Sequence, residues 1–290
     1  MKILNFGSIN IDNVYSVDHF ARPGETISCT NYQTFAGGKG SNQSIAIARA
    51  GGQVYHAGKL CSQDIWVKEL LETSSVNTQF IEFTDSPSGH AIIQVNKRGQ
   101  NSIVIYGGAN QEITHDHIER VLNEFSRGDY LLLQNEINAI PQIMQRAHKR
   151  GMKIVFNPAP MAHEVLAYPL DLVGMFIVNQ IEAYELCDEK DPHKVLDNMA
   201  HLYPDAATVL TLGEDGVFYN DSVIRVELSA EKMTPVDTTA AGDTFAGYFL
   251  AGITGAADIE SSLRTALKAA AICVTCAGAA DSIPCKDQIQ

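Results

Sequence analysis

The sequence predicts an α/β fold: a mainly parallel central sheet with helices on both faces, and a small second group of β-strands. Three observations carry this. Short apolar runs alternate with helical periodicities along most of the chain, the pattern that closes βαβ units. Two pairs of β-like runs interrupt that rhythm before residue 107. No long linker, repeat or low-complexity tract divides the 290 residues. The expectation is therefore one α/β domain over 1–290, with extra strands inserted at about 11–35 and 91–106.

The strand-like runs are Lys2–Phe6, Val54–Ala57, Tyr130–Gln134, Lys153–Asn157, Met175–Asn179 and Thr208–Leu212. Helical patterns occupy Ser41–Ala50, Ala139–Arg150, Ile181–Cys187, Lys194–Leu202 and Ala241–Gly252. Among the inserted strands, Ile11–Val17 and Ile27–Phe35 are joined through a Pro23-Gly24 turn. Ala91–Val95 and Ser102–Tyr106 flank Asn96-Lys97-Arg98-Gly99-Gln100-Asn101, which reads as a hairpin. Two arrangements fit this pattern equally: a separate sheet lidding the strand ends, or an extension of the main sheet. Open parallel sheets place ligands at the carboxyl ends of their strands, so the residues just after each strand matter most.

Charge narrows the partners. With 21 basic and 34 acidic residues the net charge is 21 − 34 = −13. That field repels a phosphate backbone, and no local basic patch offsets it, so nucleic acid is not an expected partner. A nucleotide remains compatible, because backbone amides and a metal ion bind phosphate on acidic proteins. The apolar start of the chain gives way to Ser8, Asn10 and Asp12, and no run approaches the ~18–20 apolar residues that span a bilayer. The expectation is a cytoplasmic protein without a membrane partner. Cys29, Cys61, Cys187, Cys273, Cys276 and Cys285 are irregularly spaced, as suits reduced thiols. The single CxxC of Cys273 and Cys276 has no second pair and reads as packing.

Two segments carry chemistry. In Asp237-Thr238-Thr239-Ala240-Ala241-Gly242-Asp243-Thr244-Phe245 small residues let the backbone turn tightly with its amides bare, immediately before a helix. A helix start with unpaired N–H groups attracts anions. Asp243 there either caps the helix or accepts a proton. The run of small residues with one Gly and two Asp points to chemistry. The second segment is Ala36-Gly37-Gly38-Lys39-Gly40-Ser41-Asn42-Gln43, where paired glycines permit close approach to a ligand. It lacks the GxxxxGK[ST] spacing, and Phe6-Gly7-Ser8-Ile9-Asn10 lacks GxGxxG, so neither a Walker-type loop nor an NAD site is supported.

Taken together, these segments resemble the signatures of the ribokinase-like (PfkB-type) carbohydrate kinases. The resemblance extends to Gly7–Asp12, Pro23-Gly24-Glu25-Thr26, Asn157-Pro158-Ala159-Pro160, Asn179 with Glu182, and Thr211-Leu212-Gly213 with Gly216. It departs at Ser62–Val67, where the family's glycines are missing. What it implies is an ATP-dependent sugar kinase whose second sheet is a small β-sheet lid. Asn10, Asp12, Gly38, Lys39, Asn42 and Glu136 would bind the sugar, by hydrogen bonds to vicinal hydroxyls. Amides of Ala240, Ala241, Gly242 and Asp243 would form an anion hole, with Asp243 as base. Asn179 and Glu182 would organise Mg²⁺ and its waters, and Thr211, Gly213 and Gly216 would line the nucleotide groove. The resemblance further implies K⁺ beside the anion hole, at Asp237, Thr239, Cys273, Cys276, Gly278 and Ser282. It also implies a homodimer through the lid, where Val14, Tyr15, Ile92, Ile103 and Ile105 offer apolar side chains.

Overall fold

The computed structural model describes residues 1–289. At its centre lies β1 (Ile3–Phe6), paired in parallel with β4 (Val54–Cys61) on one side and β8 (Tyr130–Gln134) on the other. The parallel array continues through β9 (Lys153–Asn157), β10 (Met175–Asn179) and β11 (Ala207–Thr211), and ends at the other edge with β5 (Asn77–Thr84). An antiparallel pair, β12 (Val217–Asn220) and β13 (Arg225–Leu228), completes nine strands in the order β13-β12-β11-β10-β9-β8-β1-β4-β5. Every residue of β1 and β8 is buried, including the polar Asn5 and Gln134, which explains why these strands read as mostly apolar runs rather than alternating ones.

Alternate residues of each strand feed two cores. On one face Ile3, Leu132, Val155 and Val209 pack with α1 (Lys39–Arg49), α7 (Ala241–Thr254) and α8 (Ile259–Cys273). On the other, Leu4, Leu133, Phe176 and Leu210 pack with α3 (His115–Leu122), α4 (Ile140–Lys149), α5 (Gln180–Cys187) and α6 (Pro192–Leu202). A further helix, α2 (Ile65–Thr73), joins the first face through Val67 and Leu71.

The inserted strands form their own sheet, in the order β3-β2-β6-β7: β3 (Asn31–Gly37), β2 (Asn10–Val17), β6 (Gly89–Asn96) and β7 (Asn101–Tyr106). The lid arrangement, rather than an extended main sheet, is therefore the one adopted. One boundary needs correcting. The second lid strand starts at Asn31, not Ile27, because its register with β2 ends at Ser16↔Asn31 and only Thr30, through its amide to Ser16 O at 2.8 Å, reaches β2 before it. Between the lid and the carboxyl ends of the parallel strands lies a cavity of about 750 Å³. No helix among the described residues is long and apolar enough to cross a membrane.

Candidate active site

β2 enters the cavity first. Asn10 is fixed by Asn110, whose Nδ2 donates to Asn10 Oδ1 at 2.7 Å and whose Oδ1 accepts from the Ile9 amide at 3.0 Å. The Asn10 Nδ2 group is left to face a ligand. Asp12, one turn of the pleat onward, lines the cavity and makes no side-chain hydrogen bond among the described residues. Its carboxyl is raised from 3.8 to about 6, first by desolvation and then by the charges of Glu136 and Asp243.

The start of α1 supplies the next group. Gly38 turns the chain with φ 92°, a left-handed conformation that side-chain-bearing residues avoid. The amides that follow are taken by side chains from elsewhere: Lys39 N donates to Glu136 Oε2 at 2.9 Å, and Gly40 N to Ser8 Oγ at 3.1 Å. Ser8 in turn donates to Glu136. Glu136, just after β8, thus anchors the glycine turn, and burial pushes its carboxyl above the usual range. Lys39 answers these acids: its ammonium is raised, chiefly by Asp243 and also by Glu136 and Glu182. Asn42 Oδ1 is buried with no partner among the described residues. An orphaned acceptor of this kind is costly unless a ligand hydroxyl meets it.

α7 begins with Ala240 in a left-handed conformation, φ 60°, and has no side-chain cap. The Ala241 amide donates to Thr238 O at 3.3 Å, so it does not face the cavity as expected. The amides of Ala240, Gly242 and Asp243 have no partner among the described residues, and the space over Gly242 is open. An anion fits there by both hydrogen bonding and helix polarity. Asp243 does not cap its helix. Its Oδ2 accepts from Asn42 Nδ2 at 3.1 Å and its Oδ1 from Gln43 Nε2 at 2.9 Å.

Below this turn, Asp237 accepts from Thr239 N at 2.9 Å and from Gly278 N at 3.0 Å, joining the turn to the chain after α8. Cys273 Sγ lies 3.1 Å from Ser282 Oγ and 3.7 Å from Thr239 O, so both sit directly behind the turn. Cys276 is exposed and outside the cavity wall.

Across the cavity, Asn179 and Glu182 form a capping box at the start of α5. Glu182 is buried, accepts from Asn179 N at 3.0 Å, and has its carboxyl raised mainly by desolvation. No group of three His, Cys, Asp or Glu among the described residues is placed to hold a metal unaided. Mg²⁺ is ordinarily held by one or two carboxylates with water and substrate phosphates, and Glu182 fits that role.

Thr211 lines the cavity, whereas Gly213 and Gly216 do not. Gly216 has φ 115°, and a Cβ there would lie 2.0 Å from Leu228 O, so its place is set by the β12–β13 hairpin. The proposed dimer residues also divide. Val14, Ile103 and Ile105 face the cavity, while strand alternation turns Tyr15 and Ile92 to the outer face. Ser62–Val67, where the glycines are missing, contributes Gln63, Asp64 and Trp66 to a separate hollow outside the lid. Sequence reasoning missed Asn110 and Gln43 as site residues. Asn110 sits in a short turn without periodicity, and Gln43 looks like an ordinary helical polar residue.

An unpaired-amide helix start beside a fixed carboxylate, under a lid that can cover a polyhydroxy ligand, defines a phosphotransferase acting on an alcohol. The pfkB family carbohydrate kinase pattern matches residues 1–286, and the chain belongs to that family. It is 35% identical to a ribokinase of Haemophilus influenzae over 97% of this chain and 95% of that one. It is 33% identical to the Bacillus subtilis ribokinase over 100% and 98%. Among solved structures, a ribokinase of Cryptococcus neoformans with ADP superposes with a TM-score of 0.87 at 33% identity, covering 99% of this chain and 98% of that one. An Arabidopsis thaliana ribokinase complexed with ribose and ATP gives 0.86 at 27% identity, covering 99% and 96% of the respective chains.

Proposed function

We propose that this protein transfers the γ-phosphate of ATP to the primary hydroxyl of D-ribose, giving ribose 5-phosphate. The observation that carries the reading is the meeting of Asp243, held by two amide donors, with the unpaired amides of the α7 start. Asn10, Asp12, Asn42 and Lys39 line the same cavity with donors and acceptors suited to vicinal hydroxyls. The ribokinases it resembles supply the sugar.

In this reading Asn10, Asp12 and Asn42 hold the ring hydroxyls so that the primary hydroxyl lies against Asp243. Asp243 takes its proton as the oxygen attacks in line. Amides of Ala240, Gly242 and Asp243 and the Lys39 ammonium meet the charge on the transferring group. Mg²⁺, held near Glu182 and Asn179 by way of water, would neutralise phosphate charge. A carboxylate is a weak base for an alcohol, so proton transfer comes late and exclusion of water matters. The inner face of the lid carries Ile103 at 50% and Ile105 at 55% exposure, apolar surface that closing over the sugar would bury.

Three finer assignments belong to the same reading. K⁺ binds behind the anion hole, among Asp237, Thr239, Cys273, Cys276, Gly278 and Ser282. The Asp237 carboxylate and the Ser282 hydroxyl are already engaged within the protein, so backbone carbonyls would provide most of the cage. Two copies pair through the outer lid face, where Tyr15, Ile92 and Val104 lie. The enzyme works in the cytoplasm, where ATP is supplied. A coupled ADP-release assay over pentoses, hexoses and nucleosides tests the substrate: ribose is expected to give the highest kcat/KM. Turnover of fructose or a nucleoside with ribose inert would replace the sugar while retaining the kinase.

A further inference from the structure

Beneath the catalytic carboxylate runs a chain of carboxamides, with Gln43, Gln134 and Asn5 buried and Asn157 half-buried at the cavity wall. Gln43 is fully buried in α1. Its Nε2 donates to Asp243 Oδ1 at 2.9 Å and to Asn157 Oδ1 at 3.1 Å. Its Oε1 accepts from Gln134 Nε2 at 2.7 Å. The same Gln134 nitrogen donates to Asn5 Oδ1 at 3.0 Å, and Asn5 Nδ2 donates to Gly40 O at 2.7 Å. On the other side, Asn157 Nδ2 is bound to Ile177 O at 2.9 Å and lies 3.5 Å from Glu182 Oε2.

We propose that Gln43 is a positioning residue, which holds Asp243 in its reactive rotamer and couples it through Asn157 to the Glu182 side of the site. The inference rests on the kinase reading. Asn42 already holds one carboxylate oxygen, but a single donor leaves the group free to swing about that bond; Gln43 holds the other. The direction of the Gln43 amide is itself fixed. Turned over, it would set its oxygen against the Asp243 carboxylate and its NH₂ against the Gln134 donor, losing bonds at both ends. Burying polar groups in the strand ends at this density is expensive, the more so because Gln134 Oε1 has no partner among the described residues, and apolar side chains would fill the space more cheaply. The arrangement is explained by the need to aim one carboxylate from below while its upper side stays free for a hydroxyl.

Gln43→Met keeps the length and volume and removes the donor. The expected result is a kcat lowered by about 10–100-fold, as for a misaimed catalytic group, with the sugar and ATP KM values within about threefold of the parent. A purely structural Gln43 would lower the unfolding temperature and leave kcat per folded enzyme unchanged; that outcome overturns the inference. So would a rise in sugar KM at constant kcat. If Gln43→Met yields no folded protein, Gln134→Met carries the same test, since it unlocks the Gln43 amide without touching Asp243. A smaller fall in kcat with KM kept supports the inference, and unchanged kcat refutes it. Parent enzyme inactive on every sugar would instead defeat the kinase reading, so the two failures are distinguishable.

Discussion

Asp12→Asn is expected to make this protein more stable and less able to bind its sugar. The Asp12 carboxyl is shifted from 3.8 to about 6 by burial and by neighbouring acids, so in the fold its ionised form is disfavoured. At 1.36 kcal/mol per pH unit, 6 − 3.8 corresponds to about 3 kcal/mol if nothing is screened. Asp12 keeps part of its surface in the open cavity, which reduces the figure to about 1–2 kcal/mol. The sign follows from linkage. A carboxyl with a raised folded pKa contributes stability that is present below its unfolded value and lost as pH rises through the folded one. The penalty on the parent therefore grows between 3.8 and about 6 and is constant above. Asparagine cannot ionise, and Asp12 makes no side-chain bond among the described residues for the substitution to break. Above the window the variant should melt about 2–4 °C higher, and the advantage should shrink towards the lower end of that window. Thermal unfolding at a series of pH values, with sugar KM measured alongside, provides the assay. A variant no more stable than the parent at neutral pH, or a difference that does not change with pH, would refute the electrostatic argument.

Other outcomes follow from the same geometry. Replacing K⁺ by a bulky organic cation at constant ionic strength should lower kcat or raise the KM for ATP, because the Asp237–Gly242 turn aims the anion-binding amides; unchanged rates in K⁺-free buffer would remove the ion. Light scattering should report a dimer, and Ile92→Asp, on the outer lid face, should yield monomer; a monomeric parent would dispose of that interface.

Much of this site is legible in the sequence because its parts are local. Asp237–Phe245 and Ala36–Gln43 each join a tight turn to a helix start, so neighbouring letters describe neighbouring atoms. The central strands are equally plain, since burial on both faces leaves apolar runs such as Tyr130–Leu133 within β8. What is not legible depends on contacts between distant segments. Asn77–Thr84 alternates in burial at the sheet edge, and its polar residues hide it as a strand. Asn110 matters because it grips Asn10, a hundred residues away. Gly216 is held to glycine for a reason visible only in the hairpin, where Leu228 O approaches it. The lid residues Val14 and Tyr15 fall on opposite faces, a division that follows once the sheet's register is known.

That Asp243 is the base for ATP-dependent phosphorylation of a sugar's primary hydroxyl is tested most directly by following ADP and sugar phosphate together, with ribose, ATP and Mg²⁺, for the parent and for Asp243→Asn. In the parent, one ribose 5-phosphate should form per ADP. In the variant kcat should fall by about 10²–10⁴-fold with sugar binding largely kept. ADP release without sugar phosphate, or a variant that retains the parent's kcat, would contradict it.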